Sequence, residues 1–337
     1  MTDLLSQLLK DRRWLLSDGA TGTNLFDVGL QTGNAPELWN LDTEKQEKVY
    51  NLNHAFVAAG SDIILTNSFG GTRARLKLHQ AQDQVHAANE SAARIARRAA
   101  DGAGRPVVVA GSIGPTGELF EPLGPLTFEE GVEMFAEQAA GLKAGGADVL
   151  WIETMFSIDE FRSALKGAAR TGLPCVCTLS FDMKGRTMMG VSPGEVAKLM
   201  SGVEPRPIAY GANCGTGAAE VVAVLLSMKD AAGAGDVLVA KSNCGIPQLV
   251  GSEIRYSGTP ELMSNYVHMA LDAGARIVGG CCGTTPDHLK AMRSAMDSHI
   301  GGERPDLNAV IAKLGEVSPG AQKQARQLRP VASDASR

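Results

Sequence analysis

Three cysteines carry the chemistry most worth pursuing in this chain. Cys214 stands in GANCG (211–215), and Cys281 and Cys282 stand side by side in GGCCGTT (279–285). Three thiolates with a fourth position open match a catalytic Zn2+ site, because structural sites usually carry four protein ligands. Adjacent residues of a regular strand point to opposite faces, so Cys281 and Cys282 can share one ion only if the chain leaves the pleat there. Gly279, Gly280 and Gly283 supply that freedom, and they permit the close backbone approach that zinc–sulfur bonds of about 2.3 Å demand. Two blander readings compete. Buried free thiols are common in cores, and a disulfide could join the neighbours, although adjacent Cα atoms ~3.8 Å apart would strain it. The other cysteines divide. Cys175 and Cys177 lie in an apolar run without glycine and read as core packing. Cys244 follows Asn243 between the two clusters, where it could approach a metal or form an adventitious disulfide; it stays outside the ligand set.

The elements that must position these residues form a repeated strand-then-helix pattern. Short runs rich in Val, Ile and Leu recur at 14–18, 62–67, 106–112, 148–154, 174–181, 208–214, 236–243 and 275–282. Helical stretches lie at 43–59, 80–101, 128–145, 158–170, 193–200, 216–230, 259–273 and 286–297. Near-continuous apolar strands alternating with helices predict a parallel sheet buried on both faces, and eight such units predict an α/β fold of the (β/α)8 TIM barrel type. An open doubly wound sheet is the alternative. Barrel active sites form at the C-terminal strand ends, and Cys214 ends the sixth strand while Cys281 and Cys282 end the eighth. Only the seventh strand separates them, so the fold bridges their 67-residue gap. Thr43 with Gln46 and Thr127 with Glu130 are candidate capping boxes. Leu4, Leu5, Leu8 and Leu9 predict a short amphipathic N-terminal helix. The barrel is expected over residues 1–300 as a single domain. Residues 301–337 read as a polar tail with one short helix at 306–314, its last dozen residues disordered or an arm onto a neighbouring subunit of a homo-oligomer.

Composition narrows the class. A chain of 337 residues with 44% hydrophobic residues can bury a sizeable core, and a net charge of -5 with 5% aromatics leaves no footprint for nucleic acid. No apolar run approaches the roughly 20 residues of a membrane span, and the N-terminus lacks the basic start and apolar stretch of a signal peptide. The expected compartment is the cytoplasm, where six cysteines point to metal or catalysis before disulfides. The glycine-rich GSIGPTG (111–117) and GTTP (283–286) fit neither the P-loop nor the dinucleotide spacing.

Six segments together resemble the homocysteine S-methyltransferases: DGATGTNL (18–25), TNSFGGTRARL (66–76), GPTGELFEPLGPLTFEE (114–130), DVLWIET (148–154), GANCG (211–215) and GGCCGTTPDH (279–288). The likeness runs from about residue 14 to 297 and is strongest to the homocysteine-binding module of cobalamin-dependent methionine synthase, with betaine–homocysteine methyltransferases nearby. It implies a barrel with Zn2+ held by Cys214, Cys281 and Cys282, and methyl transfer to the zinc-bound thiolate of homocysteine to form methionine. It implies that Asp18 and Glu153 receive the substrate ammonium, and that Ala20, Thr21 and Thr66 receive its carboxylate. Taken singly, Asp18 could be a turn residue and Glu153 a strand-end ion pair. Some members fill the fourth metal position with a protein oxygen at rest. This chain has Gly70 where the betaine enzymes use tyrosine, while Asn243 matches the asparagine of the methionine synthase module and is the candidate resting-state ligand. The methyl donor is either a small onium such as betaine or methylcobalamin on a separate protein, since no folate or cobalamin domain is seen in the sequence. Loss of the tyrosine and scarce aromatics lean toward cobalamin, with Trp39, Phe69, Phe120 and Phe156 left as the aromatics near the rim. A non-catalytic zinc- or thiol-binding subunit is the alternative from another class.

Overall fold

Runs of Val, Ile, Leu and Ala, buried on both faces, pair in parallel in the computed structural model, which describes residues 3–250 and 253–327. Along the chain, α1 (Leu4–Asp11) precedes β1 (Leu15–Leu16) and α2 (Thr21–Asp27). Next come α3 (Lys45–Ala58), β2 (Ile63–Leu65), α4 (Arg73–Lys77) and α5 (Val85–Asp101). A regular alternation follows: β3 (Val108–Ile113), α6 (Phe128–Ala144), β4 (Val149–Met155), α7 (Ile158–Ala169), β5 (Cys175–Leu179), α8 (Pro193–Gly202), β6 (Ala209–Cys214) and α9 (Ala218–Ala231). After β7 (Leu238–Ser242) the chain makes an antiparallel hairpin, β8 (Pro247–Val250) and β9 (Glu253–Tyr256). It ends in α10 (Pro260–Asp272), β10 (Ala275–Gly280), α11 (Pro286–Ser298), α12 (Leu307–Leu314) and α13 (Pro319–Gln327).

The eight-stranded order is β1-β10-β7-β6-β5-β4-β3-β2. A parallel bridge between Ser17 and Ile63 joins its two ends, so the sheet closes into the expected (β/α)8 barrel; an open doubly wound sheet would leave those ends apart. Alternation along each strand splits the core in two. Leu15, Ile63, Leu65, Val108, Val149, Trp151, Val176, Val239 and Ile277 fill the barrel interior. The other face of the same strands packs on the helices through residues such as Leu16, Ile64, Leu150, Cys177 and Val278. Each fully buried aliphatic side chain contributes ~1.5–3 kcal/mol. The amphipathic α1 plugs the N-terminal end of the barrel, its Leu5 and Leu8 joining the interior cluster. Asp62 anchors that end: Oδ2 accepts the Leu16 N–H at 2.9 Å, and Arg12, Arg105 and Arg293 surround the carboxylate.

Thr127 and Glu130 form the expected capping box at the start of α6. Thr43 does not cap α3. Asp42 takes that place, its Oδ1 accepting from the N–H groups of Glu44 at 3.0 Å and Lys45 at 3.1 Å, because a carboxylate one residue earlier outcompetes the hydroxyl for the first-turn donors. The helix expected at 306–314 is α12, and α13 is an addition to it. The expectation of a disordered final dozen concerns mainly residues 328–337, which lie outside the described residues. Among the described residues no helix is long and apolar enough to cross a membrane.

Candidate metal and substrate site

Cys214 is the last residue of β6 and holds φ at +63°, a left-handed conformation rare for a residue with a Cβ. That twist, continued by Gly215 at φ +69°, turns the thiol away from the sheet direction. Cys281 and Cys282 follow directly on β10. There the chain leaves the pleat in a turn, with Thr284 N–H donating to Cys281 O at 3.1 Å and Gly283 at φ +77°. Gly279 and Gly280 serve the site by close approach instead: a Cβ on them would stand 2.8 Å from Ser17 Cβ and 2.2 Å from Thr284 Cγ2. The turn lets neighbouring cysteines face one point. The ligand atoms of Cys214, Cys281 and Cys282 all lie within 4.8 Å of one another, and all three residues are half-buried. An ion at about 2.3 Å from each sulfur would draw them to roughly 3.8 Å apart.

The loops are tied to each other as well. Asn243 Oδ1 accepts the Cys282 N–H at 3.0 Å while its Nδ2 donates to Gly215 O at 2.7 Å, so one side chain clamps both cysteine-bearing turns. Backbone bonds repeat the link, with Cys281 N–H on Ser242 O at 2.6 Å and Cys244 N–H on Cys282 O at 2.8 Å. Asn213 holds Thr154 through its amide, at 3.0 Å and 2.7 Å, with Nδ2 4.0 Å from Cys281 Sγ. Cys244 is buried under the hairpin, and burial pushes its thiol up to about 12. Cys175 and Cys177 sit in the helix-facing core, where burial likewise pushes Cys175 up to about 12. The trio behaves differently. Cys214 is pushed up to about 12 first by its hydrogen bond to Cys281, and Cys282 to about 12 first by its hydrogen bond to Cys214. Three sulfurs this close can all be thiolates only around a cation, so the donor set and its geometry fit a soft divalent metal such as Zn2+.

A family model described as homocysteine S-methyltransferase matches residues 15–296. The chain belongs to that family. The methionine synthases of Mycobacterium leprae and Mycobacterium tuberculosis are each 29% identical to it, over 96% and 95% of this chain. It spans about 28% of the length of those relatives. The metallated homocysteine methyltransferase MmuM from Escherichia coli shares its fold, with a TM-score of 0.71 at 24% identity over 87% of this chain and 99% of that one.

The residues that the homocysteine S-methyltransferase resemblance assigns to substrate lie on the same rim. Glu153, near the end of β4, is 8% exposed, and its Oε1 accepts the Ser112 hydroxyl at 2.5 Å. Burial raises its pKa, opposed by the charge of Lys241 and by Ser112. Thr66 Oγ1 accepts the Ser112 N–H at 2.9 Å and shares a hydrogen with Ser68 Oγ at 2.5 Å. Ala20 N–H donates to Thr284 O at 3.1 Å, whereas Thr21 opens α2, which has no side-chain cap. Asp18 is fully enclosed, with Oδ1 2.7 Å from Lys241 Nζ and Oδ2 accepting the Leu65 N–H at 2.7 Å.

Lys241, Ser112, Asn213 and Tyr256 were not legible as site residues. Lys241 is raised in pKa although burial alone would lower it, because Asp18 and Glu153 outweigh the desolvation. The signal for it was there: a lysine inside DVLVAKSN (236–243), at an inward position of an otherwise apolar strand. Tyr256 hydrogen-bonds Cys282, and its ring lies against Gly283, where a Cβ would stand 2.4 Å from Tyr256 Cβ. It arrives on the unforeseen hairpin, whose strands of four residues each sit at the lower limit at which alternation is readable.

Proposed function

We propose that this chain transfers a methyl group to the sulfur of homocysteine, giving methionine, with Zn2+ held by Cys214, Cys281 and Cys282. The observation that carries the reading is the convergence of three thiols from two strand ends within 4.8 Å, in a chain whose family is named for this reaction. Bound there, Zn2+ would keep the acceptor thiol deprotonated near neutral pH, where a free thiol is only a few per cent thiolate. The chain's own groups do the rest. Glu153 Oε2 accepts the substrate ammonium, and Ser112 holds that carboxylate in orientation through Oε1. The Thr21 N–H and the Thr66 hydroxyl receive the substrate carboxylate; Ala20 supports this loop through its bond to Thr284 rather than through a free donor. Asp18, the other acidic residue that the resemblance places at the ammonium, is paired with Lys241 and anchors β2 through Leu65. Asn243 keeps the two cysteine turns in register, and the second lone pair of its Oδ1 makes it the candidate resting-state oxygen.

The rim favours methylcobalamin over a small onium donor such as betaine. Trp39 is enclosed with Leu25, Leu30, Val49 and Ile95, and Phe120 is 9% exposed against Gly131, so only Phe69, 38% exposed, and the half-buried Phe156 remain of the rim aromatics to meet a quaternary ammonium. The test incubates zinc-loaded protein with homocysteine and, separately, methylcobalamin, betaine, S-methylmethionine and S-adenosylmethionine, and measures methionine. Product with methylcobalamin is expected. Product with betaine alone overturns the donor assignment, and no product with any donor leaves a non-catalytic zinc- or thiol-binding subunit as the better reading.

A further inference from the structure

Lys241 has no task in the methyl-transfer reading, yet it occupies the top layer of the barrel interior between the two acidic residues of the site. Its Nζ lies 2.7 Å from Asp18 Oδ1 and 3.2 Å from Ser17 Oγ, with side chains 2% and 0% exposed for Lys241 and Asp18. The indole of Trp151 is the floor, its ring centroid 5.3 Å from the ammonium. Because the Leu65 N–H takes the other Asp18 oxygen, both ends of that carboxylate are engaged and closed to solvent. Glu153 differs. Ser112 takes Oε1, and Oε2 has no hydrogen-bond partner among the described residues. An incoming ammonium therefore meets one available carboxylate and the like charge of a lysine, where two free carboxylates would otherwise stand.

We propose that Lys241 sets acceptor specificity by withdrawing Asp18 from ammonium recognition, so that the site takes ω-thiol carboxylates whether or not they carry an α-amino group. The inference rests on the proposed function for the position of the thiol and for the placing of the substrate ammonium beside Glu153. A desolvated carboxylate pair aimed at an ammonium would discriminate strongly, since truncating one partner of a buried charge pair costs ~2–5 kcal/mol, or about 30-fold and upward. One carboxylate with a competing lysine beside it supplies little of that difference. A purely structural lysine, present only to neutralise buried acid, would leave discrimination untouched when replaced.

The probes are homocysteine and 4-mercaptobutyrate, which is homocysteine without its amino group. Protein loaded with Co2+ reports thiol binding through its thiolate absorption bands, independently of turnover. The expected dissociation constants of the two thiols in the wild type lie within about tenfold of each other. Lys241→Met is expected to widen the preference for homocysteine to about 30-fold or more by freeing Asp18, and Glu153→Gln to bring the ratio near unity. A wild-type preference for homocysteine beyond about 30-fold overturns the proposal, as does an unchanged ratio in folded Lys241→Met. Should Lys241→Met fail to fold, the wild-type and Glu153→Gln ratios decide. If neither thiol perturbs the Co2+ spectrum, the methyl-transfer reading itself falls, an outcome distinct from a failed ratio.

Discussion

Cys214 and Gly283 both hold left-handed backbone at the point where the cysteine turns converge, φ +63° and +77°. For Cys214 the strain amounts to ~1–3 kcal/mol, held in place by the Asn243 clamp on the next residue's carbonyl. Gly283 has no alternative residue, because a Cβ would be strained at that φ and would stand 2.4 Å from Tyr256 Cβ. Gly283→Ala is expected to cost about 1–3 kcal/mol locally and to weaken metal binding while global unfolding shifts little, read by zinc titration beside a urea melt. Replacing Cys281 and Cys282 by Ala should abolish stoichiometric zinc; one zinc per chain in that variant would sink the ligand assignment. Proton release gives an independent check. With Cys214 and Cys282 pushed up to about 12, these thiols are protonated at neutral pH without metal, and a metal must displace their protons. Affinity therefore falls as pH falls, and calorimetry in buffers of different ionisation heat should find about three protons released per zinc at pH 7.

Among the elements, β1 is the shortest barrel strand at two residues, and its place depends on groups around it more than on its own ladder. Asp62, at the turn into β2, receives the Leu16 N–H and is faced by Arg12 from the end of α1, Arg105 before β3 and Arg293 from α11. This buried acid joins four segments at the end of the barrel opposite the site. Asp62→Ala should destabilise the protein by ~1–3 kcal/mol, because it leaves the buried Leu16 N–H without its acceptor and removes the carboxylate shared by three partly exposed guanidinium groups. The exposed pair of Arg97 with Asp101, 3.4 Å apart and with Asp101 66% exposed, is the control: Asp101→Ala should change stability by under about 0.5 kcal/mol. Equal shifts in the two urea midpoints would refute the anchoring role.

At the scale of the molecule, the segment after the last barrel helix is part of the packed structure as far as it is described. Val310, Leu314, Val317 and Ala321 belong to the main core cluster. Ser318 N–H donates to Glu220 on α9 at 2.6 Å, and Arg304 reaches Asp230 at 2.5 Å. This explains α9, whose residues from Ala218 to Met228 are buried all round: the barrel covers one side, and α12 and α13 the other. Leu314→Ala should therefore cost about 2 kcal/mol, the low end for a core truncation because the residue keeps 8% exposure. Ending the chain at residue 305 should expose the outer face of α9 and lower the soluble yield. A truncated chain with an unchanged urea midpoint would contradict this.

What the sequence determined by itself was the pattern that closes the barrel and the rim positions of its thiols. Eight apolar runs alternating with helical periodicity leave few ways to bury both faces, and Cys281 with Cys282 between glycines announces a turn where a strand should end. Those signals are local, carried by the order of residue types. Other features were legible only in hindsight. The uninterrupted apolar face of α9 asks for a second cover, and the lysine in β7 asks for a buried partner. Only the tertiary structure decided which groups meet. Lys241 and Asp18 are 223 residues apart, and their contact follows from the layer each inward side chain occupies once strand tilt and stagger are set. The same stagger brings Asn243 between two cysteine turns and Tyr256 against Cys282. Periodicity states which face a residue takes, but the height at which faces from different strands coincide is a property of the closed barrel alone.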